Sequence, residues 1–266
     1  EEVIPDETVV SRSQNDLRWD LARLCHGIGV RTPHIAKTLK YELVSDRLVL
    51  SLPETPERYH RALSELPVEF QVVTGLRATP GWLGCGYSYR TLAEGALQAG
   101  FDRVWIFEDD AVLPNQHADT LAQIEAFLDG YADWDVFCGL ISRFEQPPEI
   151  LDVFEHHGIT FVILDQMMSM VANCYSAESL RQLANWDGQV IDSNTNTIDV
   201  HLNRHTRRVV TTLPSLFSHE SSLASTLWGI DNGHYEPIID SAQERLQKAV
   251  TRFLARRADQ ETDESE

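Results

Sequence analysis

Arg103-Val104-Trp105-Ile106-Phe107-Glu108-Asp109-Asp110-Ala111-Val112-Leu113 is the stretch whose reading decides the fold. Its first half is apolar, β-branched and aromatic, the pattern of a buried strand. The run stops at three consecutive carboxylates, resumes with Ala-Val-Leu and breaks at Pro114. Desolvating three adjacent carboxylates is costly unless something positive shares the site. In open α/β sheets ligands bind beyond the carboxyl ends of strands, so acids placed there suit a hard cation. The plain alternative is a solvated turn in which three acids happen to meet.

Working outward, strand and helix patterns alternate through the first half of the chain. Arg47–Leu52 reads as a first strand, and Pro53–Arg58 as the loop opening a helix, with Thr55 as N-cap and Pro56 in the first helical position. Val68–Val73 reads as a second strand. Gly81, Gly84 and Gly86, around Trp82 and Cys85, read as a flexible loop leading into a helix from Ser88 to Ala99. After the central strand comes a helix over His117–Leu128, then a strand over Trp134–Ile141. Ile159–Leu164 and Ser169–Tyr175 read as a strand pair. Further expectations are a helix through Ala184, a polar loop over Asp187–Asn196, a short helix over Thr197–Asn203 and a strand over Arg208–Thr212. The last helix spans Ser241–Arg257. This alternation predicts a doubly wound α/β fold with flanking helices. Leu17, Leu21, Leu24 and Ile28 at helical spacing predict an N-terminal helical extension over residues 1–45, with a second short helix from Thr32 to Leu43. The main domain then spans 46–257, and 258–266 form an acidic, disordered tail.

With 266 residues, the chain can bury one sizeable core. A net charge of −19 repels nucleic acid and anionic lipid, which excludes nucleic acid as a partner. No apolar stretch is long enough to span a bilayer, and nothing at the start resembles a signal peptide. The chain opens with Glu1, which suggests processing or excision from a longer polypeptide. Cys25, Cys85, Cys138 and Cys174 are scattered without a CxxC pair, as expected of reduced thiols in a cytosolic protein. There is no P-loop, GxSxG, HExxH or strand-following GxGxxG motif.

Three pieces then occur in order: Leu52-Pro53-Glu54-Thr55-Pro56-Glu57-Arg58 after the first strand, Gly84-Cys85-Gly86-Tyr87-Ser88-Tyr89, and the strand ending Glu108-Asp109-Asp110. Together they resemble glycosyltransferase family 25, the lipooligosaccharide and collagen galactosyltransferases. That family has a Pro-Glu-Arg-Arg-like turn, a Gly-Cys-x-x-Ser-His segment and a Leu-Glu-Asp-Asp strand end. The resemblance runs from about Leu48 to Trp228. Two positions depart from it: Tyr89 stands for the family's His, and Tyr59 for the second Arg of the turn.

The resemblance implies a GT-A fold and an inverting hexosyl transfer dependent on Mn²⁺ or Mg²⁺. A UDP-sugar such as UDP-galactose would be the donor, and a glycan or glycolipid, as in lipopolysaccharide biosynthesis, the acceptor. It implies a cytoplasmic location, with peripheral association at the inner membrane through the acceptor. Asp110 is the first choice as metal ligand, with Glu108 and His219 beside it; His suits Mn²⁺ better than Mg²⁺. Glu108 also suits the ribose or a metal-bound water. Arg58, Ser51, Ser88, Tyr89, Glu108 and Asp109 are the donor-binding candidates. Arg58 reads equally well as a salt-bridging surface residue. Cys85 reads as packed rather than reactive, because no basic neighbour would lower its pKa.

An inverting transfer needs a base for the acceptor hydroxyl. Asp199, after a polar loop and at the start of a short helix, is the candidate; Asp192 and Asp165 are weaker ones. The competing role for Asp199 is an acid stabilising a helix N-terminus. Trp228-Gly229 and Tyr235 are candidates for a mobile lid. A nucleotidyltransferase would instead need a Gly-rich basic loop where this chain has Pro-Glu-Thr-Pro, and a haloacid-dehalogenase-type phosphatase would need Asp at Glu108. A degenerate glycan-binding domain would bind no nucleotide.

Overall fold

The computed structural model describes residues 40–263 apart from 53, 68, 228 and 229, together with Leu21 and Leu24, with backbone alone at 261–263. The helix expected over residues 13–28, Cys25, and the lid candidates Trp228 and Gly229 lie outside the described residues, except for Leu21 and Leu24.

An eight-stranded sheet runs in the order β2-β1-β3-β8-β5-β9-β7-β6. These strands are β1 (Arg47–Ser51), β2 (Gln71–Thr74), β3 (Arg103–Glu108), β5 (Val136–Cys138), β6 (Ile150–His156), β7 (Ile159–Leu164), β8 (Ala172–Ser176) and β9 (Val209–Thr212). β2, β1 and β3 are parallel, as are β5 and β9, whereas β8 runs antiparallel between β3 and β5. A small ladder joins β4 (Ala111–Val112) to β10 (Ser218–His219). The protein is therefore a mixed α/β fold with helices on both faces, as the alternation of patterns predicted.

Strand alternation feeds two cores, because successive side chains leave opposite faces. Val104 and Ile106 join one apolar cluster and Trp105 and Phe107 the other. Helices α2 (Gly81–Ala99), α4 (Ala177–Ala184), α5 (Ile198–His205) and α6 (Glu236–Asp263) pack on the first face. Helices α1 (Pro56–Glu65) and α3 (His117–Gly130) pack on the second. There Phe107 stacks on Phe70 at 5.0 Å and on Trp105 at 5.5 Å.

Several expectations are corrected. The Gly81–Gly86 stretch is the first turn and a half of α2, not a flexible loop. Its glycines serve close approach: a Cβ at Gly84 would lie 2.2 Å from the Leu76 carbonyl oxygen, and one at Gly86 2.3 Å from the Trp186 ring. β7 does not pair with β8. It forms a hairpin with β6, a strand the sequence reading missed, through a turn in which His157 and Gly158 both have positive φ (50° and 79°). Tyr41–Leu43 are not helical; the Tyr41 hydroxyl donates to the Thr74 carbonyl at 2.6 Å, tying this segment to β2. Residues 258–263 continue α6 rather than forming a disordered tail. No helix among the described residues is long and apolar enough to cross a membrane.

Candidate functional site

The parallel strands β1, β2 and β3 end at Ser51, Thr74 and Glu108, all at one edge of the sheet. The three acids leave β3 there, and what they meet is an arginine. Arg58, in the first turn of α1, is 6% exposed, and Asp109 is 4% exposed. Arg58 Nε donates to Asp109 Oδ1 at 2.7 Å, and Nη2 forms a further close ion pair with the same oxygen. Nη2 also lies 2.9 Å from Asp110 Oδ2, and Nη1 donates to the Ala224 carbonyl at 2.8 Å. Ser51 Oγ donates to Asp109 Oδ2 at 2.6 Å. Arg61, one turn later on α1, donates to the Asp109 carbonyl at 2.8 Å and to that of Ala111 at 3.3 Å.

Both oxygens of Asp109 are thus held within the protein, and the guanidinium of Arg58 is fully engaged. Both residues also line a small hollow beyond the ends of β1 and β2. Asp110 differs in its partners. Its Oδ2 accepts from Arg58 and from Asn232 Nδ2 at 2.8 Å, while its buried Oδ1 has no hydrogen-bond partner among the described residues. Nothing in the sequence flagged Asn232, which lies in a 3₁₀ helix over Asn232–Tyr235, far from the acids in the chain.

Glu108 is half-buried, and its carboxyl is pushed up to about 8, by burial first and by Asp110 next. Arg58 opposes that rise, and Asp109 and Asp199 add to it. One arginine therefore leaves the cluster short of positive charge.

Two hollows meet at these acids. The smaller, about 70 Å³, lies beyond the ends of β1 and β2 and is walled by Ser51, Arg58, Arg77, Gly81, Ser88 and the three acids, among others. The larger, about 890 Å³, takes in Asp199, His219, Asn232 and Tyr235. Cys85, Glu108, Asp110, Ser225 and Leu227 border both. Asp199 is half-buried in the first turn of α5, and its Oδ1 accepts from the Val200 N–H at 2.9 Å. Glu108, Asp110, Asp199 and His219 thus all line one cleft.

Other candidates fall elsewhere. Tyr89 is 0% exposed and faces the core, where its hydroxyl donates to the Met170 carbonyl at 2.9 Å and its ring meets Tyr175 edge-on. It lines neither hollow, so the expectation of a nucleotide contact is corrected. Ser88 borders the smaller hollow, but its hydroxyl donates to the Gly84 carbonyl and accepts from the Leu76 N–H, each at 2.7 Å. Asp192 and Asp165 line neither hollow; Asp192 accepts from Thr195 and Asn194 within its own turn. Cys85 is half-buried and borders both hollows, and its thiol is held well above its ordinary pKa by burial and then by Glu108 and Asp199.

Among the described residues no group of three or more His, Cys, Asp or Glu is arranged to hold a metal ion. The donor set instead fits a cation resting on two carboxylates, with its other positions open to ligand oxygens and water. That is how Mg²⁺ is commonly bound beside phosphates. The orphaned Asp110 Oδ1 and the suppressed ionisation of Glu108 both favour a positive charge at this point.

No family model matches the chain, and no curated protein matches it. Among solved structures it is similar to A197 from STIV, with a TM-score of 0.37 and 12% identity over 62% of this chain and 81% of that one. It is also similar to apo-UDP-glucose pyrophosphorylase, with a TM-score of 0.34 and 12% identity over 76% of this chain and 80% of that one. Likenesses of this size settle no activity.

Proposed function

We propose that this protein is a metal-dependent, inverting glycosyltransferase that moves a sugar from a nucleotide-sugar, a UDP-sugar in the first instance, to a glycan or glycolipid hydroxyl. The observation that carries the reading is the junction of two hollows at Glu108 and Asp110, where a buried carboxylate oxygen of Asp110 has no partner. A two-substrate transfer needs both substrates brought to one reacting centre, and the acids lie where the two hollows meet. Of the motifs resembling glycosyltransferase family 25, Leu52, Arg58, Cys85, Ser88 and the three acids line these hollows.

In this reading Asp110 and Glu108 hold Mn²⁺ or Mg²⁺. When bound, the cation neutralises charge on the departing nucleoside diphosphate as a Lewis acid. Arg58 and Ser51 fix Asp109, and Arg58 with Asn232 fixes the Asp110 side chain, leaving Oδ1 free to bind. Asp199, on the larger cleft, takes the proton from the acceptor hydroxyl. His219 borders the same cleft and is available as a further ligand, although two carboxylates suffice.

Calorimetric titration of UDP, GDP, CDP and ADP in Mn²⁺ and in EDTA tests this reading. One of them should bind only with the cation, and Asp110→Ala should abolish that dependence while the fold persists. Binding that is indifferent to both the cation and Asp110 would overturn it.

A further inference from the structure

The smaller hollow carries three acids, so an incoming diphosphate meets an unfavourable field unless positive charge awaits it. Two basic residues border this hollow, Arg58 and Arg77. Arg58 reads from the sequence as a nucleotide contact or equally as a salt-bridging residue, and in the fold each of its three guanidinium nitrogens has a partner, among Asp109, Asp110 and the Ala224 carbonyl. Arg61 behind it is engaged as well, by two backbone carbonyls and by Glu65 at 3.0 Å. Arg77 is exposed, and among the described residues its side chain has no hydrogen bond or ion pair.

Its backbone, by contrast, is well anchored. Gly75 N–H donates to the Ser51 carbonyl at 2.8 Å, and Leu76 N–H donates to Ser88 Oγ at 2.7 Å. The exit of β2 is thereby tied to the end of β1 on one side and to α2 on the other, immediately before Arg77. A guanidinium free of partners, carried by a backbone anchored at the two preceding residues and beside an acidic pocket, can bind an anion bidentately. The start of the 19-residue helix α2, at Gly81, borders the same hollow and adds the positive end of its dipole.

The geometry points to Arg77 as the residue of this chain that binds the phosphates of the nucleotide donor, in the role first suggested by the position of Arg58. This inference rests on the donor-binding reading above. It adds that recognition of phosphate, as opposed to nucleoside, passes through Arg77.

The test compares wild type with Arg77→Ala and Arg77→Lys. Calorimetry in Mn²⁺ would measure the affinity of the preferred nucleoside diphosphate from the panel and of its nucleoside. Arg77→Ala should weaken the diphosphate about tenfold, in line with one charge-assisted contact at an exposed site, and leave the nucleoside unchanged. Arg77→Lys should recover part of the loss. Melting temperatures should coincide, since no partner is removed. Unchanged diphosphate affinity, or an equal loss for nucleoside and diphosphate, overturns the assignment to Arg77 while the donor-binding reading stands. If wild type binds none of the four diphosphates, the reading and the inference fall together.

Discussion

Arg58 and Asp109 form a buried ion pair, with Nε 2.7 Å from Oδ1, at the point where α1 leaves the end of β1 and the acids leave the end of β3. The pair joins two parts of the chain that the sheet brings side by side, and Asp110 shares the same guanidinium at 2.9 Å. Pairing of this kind adds little stability over an apolar pair of the same shape. Removing one partner is another matter, because the other charge stays buried without compensation.

Arg58→Met should therefore lower unfolding stability by about 3–5 kcal/mol, far beyond the few tenths expected of an exposed salt bridge. Urea denaturation of the single variant, and of Arg58→Met with Asp109→Leu, checks it. The double variant should recover only part of the loss, because the buried Asp110 still lacks its guanidinium partner. A single variant as stable as wild type would mean that Arg58 is no structural partner of the acids.

Glu108 gives a pH signature. Its carboxyl is raised to about 8 in the fold, by burial and by Asp110, against an ordinary 4.5. Between those values the folded protein binds more protons than the unfolded one, so this group's contribution falls as pH rises from about 4.5 to about 8 and is level outside that window. The slope cannot exceed about 1.4 kcal/mol per pH unit for one proton. Melting curves in EDTA across this range should decline more steeply for wild type than for Glu108→Gln. Parallel curves would show that Glu108 titrates normally.

Gly86 is a packing position. A Cβ there would stand 2.3 Å from the Trp186 ring, whose Nε1–H donates to the Asn196 carbonyl at 3.0 Å and so cannot easily retreat. Gly86→Ala should cost about 1–3 kcal/mol as an overpacked core, despite the gain in helix propensity. Thermal denaturation beside an alanine replacement at Gly95, whose nearest would-be contact is an ordinary 3.4 Å, isolates the clash. Equal melting temperatures for the two variants would return this stretch to the flexible role its glycines suggested.

That case marks where sequence reading succeeds and where it stops. Strand and helix periods reported β1, β3 and β7 faithfully, because buried strands carry their own apolar signature, and the break at Glu108 reported the edge of the sheet. The glycines of α2 misled, since composition does not distinguish a glycine needed for freedom from one needed to admit Trp186. The partner of the acids is legible only as one of two equal readings, nucleotide contact or salt bridge. Arg58 was noticed, but its direction depends on α1 folding back over β3, a contact between distant segments. Asn232 had no local signal at all, and β6 was hidden because His157-Gly158 was not read as a hairpin turn.

Asp199 has two roles open to it, and the structure sharpens the contrast. Its carboxylate accepts from the Val200 N–H at 2.9 Å in the first turn of α5, the setting of an acid that stabilises a helix start. It also borders the larger cleft together with Glu108, the setting of a base facing an acceptor. Asp199→Asn keeps the shape and can still accept the backbone hydrogen bond, but it cannot take a proton at neutral pH. If Asp199 is the base, turnover should fall by about 10²–10⁴, while nucleotide affinity stays within about twofold, because Asp199 does not border the smaller hollow proposed for the phosphates. If it only steadies α5, turnover should stay near wild type and stability should drop by about 0.3–1 kcal/mol. Turnover, nucleotide affinity and melting temperature of this one variant separate the two. The combination of normal turnover and a small stability loss would remove Asp199 from the chemistry.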